Sequence, residues 1–84
     1  MKHYWIAFER LRRPSPLNLG CGITAYDFDD ANRILSASIL PREPELKVVC
    51  VKEIMGINEL DSKHVLTNMG DVTKRGIWFP LGYP

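Results

Sequence analysis

Gly20-Cys21-Gly22-Ile23-Thr24-Ala25-Tyr26-Asp27-Phe28-Asp29-Asp30-Ala31 decides the fold, because the chain changes period inside it. Up to Tyr26 the period is two, with Cys21, Ile23 and Ala25 on one face, which predicts a strand. From Phe28 onward, apolar residues recur at three-and-four spacing: Phe28, Ala31, Ile34, Leu35 and Ile39. That stripe predicts a helix with one buried face. Asp27 stands at the junction as the expected N-cap, its carboxylate accepting from the backbone N–H three residues on. Asp29 and Asp30 fall in the first turn, where negative charge meets the positive end of the helix dipole. Asp29 and Arg33 stand four apart, in the order that favours an exposed ion pair. Pro41 stops the helix, since residues before proline avoid helical angles.

Upstream, His3 to Arg10 alternates, with Tyr4, Ile6 and Phe8 facing one way and His3, Trp5, Ala7 and Glu9 the other. This predicts a strand covered on both sides. Pro14 and Pro16 make the following segment a loop, with Leu17 and Leu19 tucked against the core. Downstream, Leu46 to Met55 is apolar on both faces and reads as a central strand, with Val48, Val49, Cys50 and Val51 in the core. A capped turn at Asp61, turns at Asn68–Asp71 and Lys74–Gly76, and a short strand Ile77–Phe79 complete the reading. The expectation is a single α+β domain over residues 1–84. It has a small mixed sheet of three to four strands, one helix on one face, and the order β-β-α-β-β. The strands flanking the helix run parallel across a crossover. The segment from Gly56 to the end covers the second face.

An 84-residue chain holds one core. Apolar residues make up 45% and charged residues 25%, which is globular and not disordered. The net charge of +1 supplies no global field toward nucleic acid or an anionic membrane. No stretch approaches the roughly 20 apolar residues of a spanning helix, and no signal-peptide pattern opens the chain. A cytoplasmic protein with reduced thiols is expected, since two cysteines are too few for a disulfide scaffold.

Leu60-Asp61-Ser62-Lys63-His64-Val65-Leu66-Thr67-Asn68-Met69-Gly70, followed by Arg75-Gly76-Ile77-Trp78-Phe79-Pro80, resembles a family of small bacterial proteins with no assigned activity. Gly20 to Asp27 with Asp29-Asp30-Ala31 is similar to the same family, and together these stretches cover about half of the chain. The resemblance implies a bacterial or phage source and no particular activity.

Cys21, Cys50, His3 and His64 make the right count for zinc but the wrong spacing, so no metal or cofactor is expected. Cys21 lies between two glycines and, with His64, resembles an activated thiol; the plainer reading is a buried cysteine. No acid–base pair or phosphate loop stands out, so no catalytic residue is assigned. Aromatic and basic residues gather near the C-terminus: Lys74, Arg75, Trp78 and Tyr83, with Arg12 and Arg13 in a loop expected to reach them. Trp and Arg are enriched at binding hot spots. The leading expectation is a non-enzymatic interaction module for a protein partner or a second copy, with Arg75 and Trp78 as anchors. The alternatives are a single-stranded nucleic-acid binder, which would use the same residue types, and a small thiol enzyme built on Cys21 and His64.

Overall fold

The computed structural model describes residues 1–12, 14–55 and 69–80. Its elements are β1 (Lys2–Phe8), a 3-10 turn at Pro16–Asn18, β2 (Cys21–Ala25), α1 (Phe28–Ser38), β3 (Val48–Ile54) and β4 (Gly76–Phe79). The fold is α+β, one helix on a four-stranded sheet ordered β3-β1-β2-β4. Every pairing is antiparallel, so the sheet is not mixed. β2 and β3 do run in the same direction, as the crossover requires, but β1 lies between them and pairs with both.

That insertion corrects the reading of β3. The apolar run Val48–Val51 looks central in sequence, yet β1 and β2 are the inner strands and β3 is an edge strand. Val48, Val49 and Cys50 are exposed, Val49 to 65%, and Ile54 is the one β3 residue that is buried. A bulge between Ala7 and Phe8 breaks the β1–β3 register beside Val49. Bulges of this kind twist an edge and discourage further strand pairing.

The helix-side core is Tyr4, Ile6 and Phe8 from β1 and Cys21, Ile23 and Ala25 from β2, packed with Ala31, Ile34, Leu35 and Ile39. Leu17 is fully buried with them, whereas Leu19 is exposed. Phe28, expected in the buried stripe, touches Tyr4 with ring centroids 6.4 Å apart but stays 45% exposed.

The opposite face carries a second cluster. Ile54, Trp78 and Phe79 are buried there, with Trp5, Met69 and Val72 packed against them. The described part of the C-terminal segment thus lies on the second face. Glycines make the room. A Cβ at Gly22 would collide with the Trp78 ring, and one at Gly20 would lie 2.7 Å from Trp5. Trp5 then packs beside Trp78 and Phe79, with centroids 6.1 and 5.5 Å away. The second cluster is therefore built on bare backbone, where the rings replace the missing side chains.

Candidate functional site

Strand register assembles the most organised polar cluster in the described residues. β4 pairs with β2 so that Gly76 lies opposite Thr24. Arg75, one residue earlier, is carried to the end of β2 where α1 begins. There Asp27 caps the helix as expected, its Oδ1 accepting from the Asp30 N–H at 2.8 Å. Asp30 answers in reverse, its Oδ2 accepting from the Tyr26 N–H at 3.0 Å. The two aspartates satisfy backbone donors at both sides of the cap.

Arg75 completes this arrangement. Its Nε donates to Asp30 Oδ2 at 2.9 Å, and its Nη2 donates to Asp30 Oδ1. This is a bidentate pair, the geometry in which a planar guanidinium best matches a carboxylate. The Arg75 hydrogen bonds, followed by that from the Tyr26 amide, lower the Asp30 carboxyl to about 2. Arg75 is itself held more firmly protonated by Asp30. The guanidinium carbon sits 5.9 Å from the centre of the Tyr26 ring, within cation–π reach.

The turn before β4 fixes the arginine from its own side. Asp71 Oδ1 accepts from the Thr73 N–H at 2.9 Å and from its hydroxyl, and these bonds lower the Asp71 carboxyl. The Thr24 hydroxyl donates to the Val72 carbonyl at 2.7 Å, tying the same turn to β2.

Arg75 is thus the predicted forked cation, but its aromatic neighbour is not the predicted one. Trp78 is 1% exposed in the second-face cluster and presents no ring to a partner. Tyr26 takes that place, 68% exposed. Nor is Arg75 simply solvated, since Asp30 holds it. Lys74 is exposed next to it. Arg12 does not join them. It follows the far end of β1, whose span from Lys2 to Phe8 is about 20 Å at the usual rise of a strand. There Arg12 lines a separate cavity of about 420 Å³ with Glu9, Arg10, Leu11 and Glu45. Arg13, Tyr83 and His64 lie outside the described residues, as do the Asp61 turn and the residue Asn68.

More exposed apolar residues lie at the same end of the sheet. Met1 and Tyr26 each stand one residue beyond the Lys2–Ala25 pair, and Met55 follows the Ile54–His3 pair. Met1, Tyr26, Phe28 and Met55 are four of the large apolar residues left exposed in the fold. Sequence reasoning missed Tyr26 because strand alternation treated it as a face residue. Its position immediately before a capping aspartate was the available signal.

Cys21 belongs to the helix-side core and is fully buried, which pushes its thiol up to about 12. That is opposite to what an activated nucleophile needs. Cys50 is exposed and free on β3. Among the described residues no three His, Cys, Asp or Glu side chains gather where they would hold a metal ion. No helix there is long and apolar enough to cross a membrane. No family model, no curated protein and no solved structure matches the chain.

Proposed function

We propose that the chain is a non-enzymatic interaction module for a protein partner, docking through the sheet end that carries Tyr26, Phe28 and Arg75. One observation carries this reading: an exposed tyrosine lies against an arginine that is already held by a bidentate carboxylate. Tyrosine and arginine are enriched among residues that dominate binding energy. A side chain fixed before association also loses less entropy on docking. Met1, Phe28 and Met55 extend the patch with residue types common at interface cores.

The net charge of +1 favours protein over nucleic acid, since it supplies no broad field for a phosphate backbone. A thiol enzyme draws no support from Cys21, whose burial disfavours the thiolate.

Capture from a lysate of the native host tests the reading, comparing wild type with Tyr26→Ala at equal folded fraction. Tyr26 is largely solvated and its contact with Arg75 is exposed, so its truncation should change stability by no more than about 1 kcal/mol. Loss of a hot-spot anchor costs 2 kcal/mol or more, roughly thirty-fold in affinity. A specific protein retained by wild type and lost by Tyr26→Ala is the expected result. Equal retention by both places the binding surface elsewhere.

A further inference from the structure

Resting on that reading, we infer that the partner segment is acidic and aliphatic and lies in the cleft between α1 and the start of β4. The cleft has a volume of about 360 Å³ and is lined by Arg33, Ile34, Ala37, Ser38, Arg75 and Gly76. Open surface along α1, past Asn32 and Ser36, adjoins it at Arg33 and Ala37.

Charge decides the occupant. The lining has two arginines and no acidic residue. Asp30 engages one of them, leaving Arg75 about half exposed on its outer side. Arg33 is exposed and makes no hydrogen bond or ion pair among the described residues. The Asp29–Arg33 pair suggested by their spacing is not formed; Asp30 acts on the Arg33 charge only through space, so the guanidinium keeps its hydrogen-bond donors for a ligand. An incoming carboxylate meets one unpaired guanidinium and the outer edge of another.

The floor and the far wall add shape. Ala37 and the edge of the largely buried Ile34 supply a small apolar floor, suited to an aliphatic side chain next to an acidic one. Gly76 has φ +133°, and a Cβ there would meet nothing within 4 Å. The backbone is therefore open to the cleft, and a segment lying there can approach it closely. Arg75 borders both this cleft and the Tyr26 ring, so the cleft continues the docking surface proposed above.

A nuclear magnetic resonance titration of the isotope-labelled full chain tests this. The probe is an acetylated, amidated hexapeptide alternating glutamate and leucine. Its glutamine counterpart and a hexathymidylate serve as comparisons. The glutamate peptide should shift the amides of Arg33, Ile34, Ala37, Ser38 and Gly76. Arg33→Glu should weaken this binding about tenfold or more, and added salt should weaken it as well. Arg33 is solvated and unpaired, so the variant should fold. Three results overturn the inference: no shifts at those amides, equal binding of the glutamine peptide, or unchanged binding by Arg33→Glu. Hexathymidylate shifting the same amides in place of the glutamate peptide overturns it in favour of a phosphate ligand. If any of these occurs while Tyr26-dependent capture persists, the cleft assignment fails and the docking surface stands. If Tyr26-dependence is lost while the peptide binds as expected, the reverse holds.

Discussion

Arg75 and Asp30 are separated by 45 positions in the chain, and their contact closes the cap of α1 from outside. Asp27 was legible as the cap because an N-cap needs only local sequence: a short acceptor before an amphipathic stripe. Asp27→Ala should cost about 0.5–2 kcal/mol, read as a lowered denaturant midpoint. The Arg75 contact was not legible, since it depends on the β2–β4 register. Its effect appears in acid. The folded value for Asp30 is about 2 against an ordinary 3.8, so the unfolded chain binds that proton more tightly. The contribution is complete above the ordinary value and is lost as pH falls through the folded one. At neutral pH, Arg75→Gln should have a lower denaturant midpoint than wild type. The gap should shrink as both are brought to about pH 2, where Asp30 protonates. A gap of the same size at both pH values contradicts the role given to this pair.

At the scale of elements, all four strands and the helix were visible in sequence, because period two and period 3.6 are local signals. Their places in the sheet were not. Val48–Val51 carries enough apolar residues for a central strand, but alternation cannot report which neighbour a strand finds. The inner strands are β1 and β2, and the faces of β1 are both lined by large side chains: Tyr4, Ile6 and Phe8 on one, Trp5 on the other. Substitutions separate the two elements. Val49→Asp lies on an exposed edge and should change stability by no more than about 0.5 kcal/mol. Ile6→Asp would bury an unpaired charge and should unfold the domain. Thermal melts of the two variants check this, and a collapsed Val49→Asp would return β3 to the core. Trp78→Ala should cost about 3–5 kcal/mol, the range for emptying a large aromatic site. Trp78→Phe should be milder, because the buried Nε1 makes no hydrogen bond among the described residues. A Trp78→Ala protein of unchanged stability would contradict its place in the second cluster.

Across the whole molecule, the antiparallel sheet separates two ends with different characters. One end joins Tyr26, Phe28 and Arg75 to the start of α1; the other carries Arg12 and its cavity beyond β1. The basic residues grouped by composition therefore divide, and Tyr26 replaces Trp78 as the aromatic beside Arg75. Residue types near the C-terminus pointed to Arg75 and Lys74 of the proposed surface. Only the β1–β2–β4 pairing shows which members meet, and that pairing depends on contacts distant in sequence. A protein partner seated on the Tyr26 end would slow amide hydrogen exchange there, measured on the chain alone and on its complex with the captured partner. New protection is expected at the amides of Tyr26, Phe28 and Lys74 to Gly76, with little change at Val48 to Cys50. Protection confined to Val48, Val49 and Cys50, with none gained around Tyr26, would contradict it.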